Sequence, residues 1–330
     1  MLSSVRLQSL ACFTLGLLLW NAIAKSSADE LPETNKAETV SGLDGARQPI
    51  LWWAPEKAST KPTPLFVFLH SWSSDFTQDN SKWLRECVAN QWIWLHPNFR
   101  GINQTPQACG SRLARQDILD AVDLACRQWN VDRSRIYLAG VSGGGHMSLL
   151  MAGHHPERFS AISAWVGPTD LTEWHRFHTL NGMPQKYAVM IEKSLLGAPG
   201  TSTQIDADYR DRSPVFHLHQ TGDLPVTIWA GVEDGHSGSV PVSHSLWAFN
   251  AIAKGHGNEL ISDAEIQELV SEKRLGQPRP SDLTMDPDLA RRIFLRRFSR
   301  NTTVTIFEGG HESLPETAFA WLKQQTRTTR

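Results

Sequence analysis

The stretch Tyr137-Leu-Ala-Gly-Val-Ser142-Gly-Gly-Gly-His146 decides how the rest of the chain is read. An apolar run over residues 136–139 leads into Gly140, Ser142 stands between small residues, and a helix-compatible segment follows over 146–152. This is a Gly-x-Ser-x-Gly pattern in a strand–turn–helix context. A serine at the apex of so tight a turn has a strained backbone and holds its hydroxyl clear of the sheet. Gly140, Gly143 and Gly144 keep Cβ atoms out of the space where strand and helix nearly touch. The helix that begins there aims its first N–H groups at any oxyanion formed beside Ser142. The competing reading is a glycine-rich strand-to-helix loop without chemistry, and the flanking pattern favours the first.

Outward from this turn, buried strands alternate with helices. Residues 64–69 (Pro-Leu-Phe-Val-Phe-Leu) and 92–97 (Trp-Ile-Trp-Leu-His-Pro) are continuous apolar runs, as expected of strands covered on both faces. Residues 49–54, 159–166, 225–230 and 302–307 read as further strands. Residues 113–129 carry Ile118, Leu119, Val122 and Ala125 at helical spacing, and 313–325 close the chain as an amphipathic helix. The alternation predicts an α/β fold, a mostly parallel sheet with helices on both faces. Ligands in such sheets sit beyond the carboxyl ends of the strands, where Ser142, Asp234 and His311 all fall. Two insertions near that edge interrupt the pattern, 171–222 and 255–300. The first reads either as a lid or as a helix pair covering the sheet. The second includes an expected helix over 262–275 with a capping box at Ser262 and Glu265.

A serine hydroxyl needs a base, and the base needs a carboxylate to fix its tautomer. His311, after Gly309 and Gly310 at the end of the last strand, has the place of the base. His146 sits on the helix after the turn, His154 and His155 lie beyond it, and His236 and His244 read as part of the acid's own loop. Asp234, after the penultimate strand, is the leading carboxylate and Asp170 its rival; the chain order Ser…Asp…His favours Asp234.

Taken together these motifs resemble the α/β-hydrolases, and in detail the catalytic domain of the prolyl oligopeptidase family. The resemblance runs from about residue 64 to the C-terminus through Asn98-Phe-Arg-Gly101, Gly140-Val-Ser-Gly-Gly144, Ser213-Pro214, Gly231-Val-Glu-Asp234 and Gly309-Gly-His311. It implies Ser142 as nucleophile, His311 as general base and acid, and Asp234 as orienting carboxylate. It also implies oxyanion donors at the backbone N–H groups of Gly143 and Trp72. The chain departs from the family at Ser71, where glycine is common, and in extra residues over 235–239 that lengthen the acid loop. The resemblance implies a serine hydrolase acting through an acyl-enzyme. With 330 residues the chain is expected to lack the peptide-selecting propeller, which favours an esterase, on small or polysaccharide esters, over a serine-type peptidase. A catalytically inactive binding protein on the same fold is the reading from another class.

Bulk properties bound the rest. The chain is 40% hydrophobic and 20% charged, with a formal net charge of −2, which gives no reason to expect nucleic acid or an anionic membrane as partner. Thirteen Trp against three Tyr is unusual, and their positions in strands (Trp52, Trp53, Trp92, Trp94, Trp165, Trp229) point to core packing. Arg6, an apolar run over 10–20 and Ala22-Ile-Ala24, with Ala28 as a second cleavage candidate, read as a signal peptide over residues 1–24. An uncleaved anchor is the alternative. The expected organisation is that signal peptide, a mobile leader over 25–45 and a hydrolase domain over 46–330. The expected destination is secreted or periplasmic, with no stable membrane insertion after cleavage. Removing the signal takes Cys12 and leaves Cys87, Cys109 and Cys126, enough for one bridge of unspecified pairing. No Cys-x-x-Cys or His-rich spacing appears, so neither a structural zinc nor another cofactor is expected.

Overall fold

In the computed structural model, which describes residues 31–286 and 289–327, the elements follow the expected alternation. The first half runs β1 (Asn35–Val40), β2 (Arg47–Trp53), β3 (Thr63–Leu69), α1 (Ser81–Asn90), β4 (Ile93–Pro97), α2 (Arg112–Gln128), β5 (Val131–Val141), α3 (Gly143–His154) and β6 (Ala161–Trp165). The first insertion holds α4 (Leu171–Phe177), a hairpin of β7 (Thr179–Leu180) and β8 (Met183–Pro184), α5 (Lys186–Leu195) and α6 (Thr203–Asp211). Then come β9 (Val226–Gly231), α7 (Ser243–His256), α8 (Asp263–Glu272), β10 (Met285–Asp286), β11 (Arg291–Ser299), β12 (Thr302–Phe307) and α9 (Pro315–Leu322). All of these belong to the unit Thr34–Arg330; of the unit before it, Met1–Glu33, only residues 31–33 are described, without regular secondary structure.

Ten strands form one sheet in the order β1-β2-β4-β3-β5-β6-β9-β12-β11-β10. The six from β4 to β12 are parallel neighbours, and β1, β2, β11 and β10 pair antiparallel at the edges. All seven residues of β3 are buried, as a strand covered on both faces requires. The step from β3 to β4 runs opposite to the later ones, so right-handed crossovers put α1 on one face and α2 and α3 on the other. On the α1 face, Phe66 of β3 packs against Trp83 of α1 and Phe319 of α9, at ring-centre distances of 5.8 and 4.7 Å. The α/β-hydrolase architecture is therefore the one observed. The capping box at Ser262 and Glu265 is present at the start of α8.

Three expectations need correction. Residues 35–40, assigned to a mobile leader, form the edge strand β1, paired over six residues with β2. Asp44 of the same stretch is held by both terminal nitrogens of Arg100, at 2.8 and 2.9 Å. The insertion assigned to 255–300 gives way at Arg291 to β11, an integral strand with an expected strand, β12, as its neighbour. Its arginines hide the apolar alternation, because they are neutralised locally: buried Arg297 pairs with Asp282 and with Glu265 (2.7 Å), and Arg296 with Asp286 (2.7 Å). His244 lies in α7, outside the acid loop. The expected signal peptide and Cys12 lie outside the described residues. Cys87, Cys109 and Cys126 are all free thiols. Among the described residues no helix is long and apolar enough to cross a membrane.

Candidate active site

Ser142 follows directly on β5 and precedes α3, with φ 58° and ψ −116°. That conformation costs a non-glycine residue about 1–3 kcal/mol and persists only where its surroundings over-determine it. They do so here. The Ser142 N–H donates to the Trp165 carbonyl at 2.9 Å, and the Ser142 carbonyl accepts from the His146 N–H at 2.9 Å. A Cβ on Gly140 would lie 2.3 Å from the Gly144 carbonyl, so strand and helix backbones meet with nothing between them.

The loop after β3 comes equally close. A Cβ on Gly143 would lie 2.2 Å from the Trp72 nitrogen, which places the Trp72 N–H against the first turn of α3, beside Ser142. Ser71, the departure from the family pattern, adopts no left-handed conformation. Its N–H donates to Gln78 Oε1 at 2.8 Å and its hydroxyl to the Val141 carbonyl at 3.3 Å. The side chain that replaces glycine thus ties this loop to the end of β5. The Trp72 carbonyl accepts from the Asn103 N–H at 3.1 Å, which sets the orientation of the neighbouring peptide.

Asp234 and His311 come from loops after β9 and β12, parallel neighbours whose carboxyl ends share one edge. Backbone bonds splice the two loops: Val232 N–H donates to the Phe307 carbonyl (2.8 Å) and Glu233 N–H to the Gly309 carbonyl (2.9 Å). His311 Nδ1 is 2.8 Å from Asp234 Oδ2. A carboxylate only accepts, so Nδ1 carries the proton and Nε2 presents its lone pair. Asp234 is 1% exposed, and its other oxygen accepts from the N–H groups of Gly235 (3.0 Å) and Val240 (3.1 Å). The extra residues after Asp234 fold over this pair: a Cβ on Gly238 would lie 2.1 Å from Asp234 Oδ1 and 2.8 Å from the His311 Cβ. Glu233 points away, to Lys273 at 2.6 Å.

The rivals are occupied elsewhere. Asp170 is the N-cap of α4, accepting from the N–H groups of Thr172 and Glu173 at 2.9 and 3.1 Å. His146 is fully buried with Nδ1 on the Pro168 carbonyl at 2.9 Å, and burial pulls its pKa down to about 4. His244 accepts the Thr169 N–H at 3.1 Å, and burial pulls its pKa down to about 3. His236 bonds the Val270 carbonyl at 2.8 Å. His154 and His217, with Asp211, place possible metal-ligand atoms within 4.8 Å of one another. A cation already stands there: Arg115 reaches His154 Nε2 at 2.8 Å and Asp211 Oδ2 at 3.0 Å.

Sequence reasoning missed the contacts that hold the acid loop from outside. Trp174 Nε1–H and His178 Nε2 both approach the Ser239 carbonyl, at 2.8 and 2.9 Å. Both residues stand in the first insertion, where their spacing signals a helix face and nothing about a partner more than sixty residues away. Trp174 belongs to a buried apolar cluster with Trp72, Leu171, Ile191, Leu195 and Tyr209, so the insertion packs directly on the Trp72 loop. Behind the acid loop lies a cavity of about 460 Å³ bounded by Phe177, His236, Trp247 and Val270; Ser142 and His311 are not among its walls. Every Trp among the described residues is buried or half-buried, as core packing requires.

Residues 112–265 match the prolyl oligopeptidase family. The chain is 27% identical over 253 residues to acylamino-acid-releasing enzyme 2 of Oryza sativa subsp. japonica, covering 69% of this chain and 30% of that protein. It is 32% identical over 127 residues to feruloyl esterase B of Neurospora crassa, covering 35% of this chain and 42% of that protein. Among solved structures, an acylaminoacyl peptidase from Pyrococcus horikoshii superposes with a TM-score of 0.61 at 16% identity, over 92% of this chain and 42% of that one. The chain thus spans less than half the length of each of these proteins.

Proposed function

We infer that this chain, an α/β-hydrolase resembling the catalytic domain of the prolyl oligopeptidase family, is an exported serine hydrolase that works through an acyl-enzyme. Ser142 attacks a carbonyl carbon, and His311 Nε2 takes the hydroxyl proton. Asp234 stabilises the imidazolium that results. The N–H groups of Gly143 and Trp72 receive the oxyanion. His311 then protonates the leaving group and activates the water that releases the acyl chain. The observation that carries this reading is the buried Asp234 bonded to His311 at 2.8 Å, on loops that follow strands parallel to the one ending at the strained Ser142, so that all three stand on the carboxyl edge of one sheet.

Within that reading we favour a carboxylesterase, acting on small or polysaccharide-borne esters. The likeness to a feruloyl esterase supports it. A peptidase releasing acylated residues is the second reading, supported by the longer alignment with an acylamino-acid-releasing enzyme. Export through the N-terminal segment rests on its sequence pattern alone, and N-terminal sequencing of protein recovered outside the cytoplasm tests it.

The function is tested with a fluorophosphonate probe and with p-nitrophenyl acetate beside N-acetylalanine p-nitroanilide. The wild-type protein takes up one equivalent of probe and turns over the ester faster than the anilide. Ser142→Ala loses labelling and at least about 10³-fold in kcat, and Asp234→Asn falls by roughly 10⁴-fold. Preference for the anilide selects the peptidase reading. A folded protein that neither labels nor turns over either substrate leaves an inactive binding protein on a hydrolase fold.

A further inference from the structure

Ser239 and Val240 share one peptide group, and both of its polar atoms are engaged at the candidate site. The N–H, on Val240, donates to Asp234 Oδ1 at 3.1 Å. The carbonyl, on Ser239, accepts from Trp174 Nε1 at 2.8 Å and from His178 Nε2 at 2.9 Å. That single plane therefore connects the first insertion to the carboxylate behind His311. Donors on a carbonyl polarise the peptide and strengthen what its N–H gives to the next acceptor. The indole of Trp174 also meets the indole of Trp72 edge-on, with ring centres 4.7 Å apart. Trp72 is the residue whose backbone N–H stands against Gly143. Fully buried, Trp174 touches both halves of the apparatus, the oxyanion loop through its ring and the acid loop through its N–H.

We propose that Trp174, with His178 as its partner on the Ser239 carbonyl, is a positioning residue that couples Asp234 to the Trp72 loop. The proposal rests on the serine-hydrolase reading above. It gives residues 171–222 a part in the reaction: their docking sets both the orientation of the carboxylate and the placement of an oxyanion donor. Neither residue touches the reacting atoms. The effect is therefore expected in kcat, where alignment matters, and not in KM.

The test is steady-state turnover of p-nitrophenyl acetate by the wild type, Trp174→Phe, His178→Ala, the double variant and Trp83→Phe. Trp83 packs between Phe66 and Phe319 on the opposite face of the sheet, so its replacement reports the loss of a buried indole alone. Phe at 174 keeps an aromatic ring but removes the donor along with part of the indole, a loss of volume that Trp83→Phe matches, and His178 still satisfies the carbonyl. The expected loss in kcat is roughly three- to tenfold for Trp174→Phe with KM within about twofold. Removing both donors leaves a buried carbonyl unpaired, so the double variant falls by more than the product of the single losses. Trp83→Phe keeps wild-type kcat whatever its melting temperature. The proton on His311 Nδ1, followed by NMR, exchanges with water faster in Trp174→Phe than in Trp83→Phe. Wild-type kcat in a folded Trp174→Phe, or a loss that Trp83→Phe shares, overturns the coupling while leaving the hydrolase intact. A wild-type protein that neither labels nor turns over overturns the hydrolase reading and the coupling with it.

Discussion

At the scale of single residues, the positions that decide the site are those where a side chain has no room. Gly238 is one. In sequence the extra residues after Asp234 only lengthen the acid loop, yet an added methyl at 238 would meet the Asp234 carboxylate at 2.1 Å and His311 at 2.8 Å. Gly238→Ala must push apart the Asp234–His311 bond or lift the loop. We expect a loss in kcat of about 10²-fold with probe labelling slowed in step, measured as the second-order rate of fluorophosphonate capture. Unchanged capture by the alanine variant would show that the loop yields freely. The places of Ser142, Asp234 and His311, each past the end of a strand, were legible in sequence, because an apolar run followed by a glycine-rich turn is a local signal. Trp174 was not. Its part depends on the Ser239 carbonyl, and no periodicity in either segment announces that meeting.

At the scale of elements, the legible strands were the buried parallel ones, whose short apolar runs between turn residues suit a strand covered on both faces, together with β2, which pairs antiparallel beside them. The illegible ones lie at the edges. β1 is largely exposed and polar, and β11, flanked outside only by the two-residue β10, carries four arginines, three of them paired with acids outside the strand. An edge strand buries one face at most, so its pattern is weaker than that of a strand in the centre. Arg100 shows how such an edge is fastened. Its Nε bonds fully buried Asp117 of α2 at 2.5 Å while its two terminal nitrogens hold Asp44 between β1 and β2. The flanking Asp44 raises the pKa of Arg100, and the guanidinium holds the Asp44 carboxyl well below the ordinary carboxylate range. Arg100→Gln strands the Asp117 carboxylate in the interior, where breaking a buried pair costs about 3–5 kcal/mol. The expected outcome is a denaturant midpoint lowered to match, with limited proteolysis releasing the β1–β2 segment first. Cleavage that starts in the 171–222 insertion would count against this anchoring role.

At the scale of the whole molecule, the interior holds histidines in their neutral form. Burial pulls His70 and His146 down to about 4 and His96 and His244 down to about 3, against an ordinary value of 6.5. As pH falls below about 6.5 the unfolded chain takes up these protons before the native one does. Stability is therefore flat with respect to these groups above that value and declines with pH from there to about 3–4. Urea midpoints followed by circular dichroism should be lower at pH 5 than at pH 7, and equal midpoints would remove these histidines as the cause. The three thiols bear on a different condition. Burial raises the pKa of Cys87, Cys109 and Cys126 alike, so the thiolate that would attack a disulfide or an oxidant is scarce at each. Among the described residues no cross-link has to form before the core can pack and none is there to be shuffled, so the fold they make is expected to hold equally under reducing and oxidising conditions.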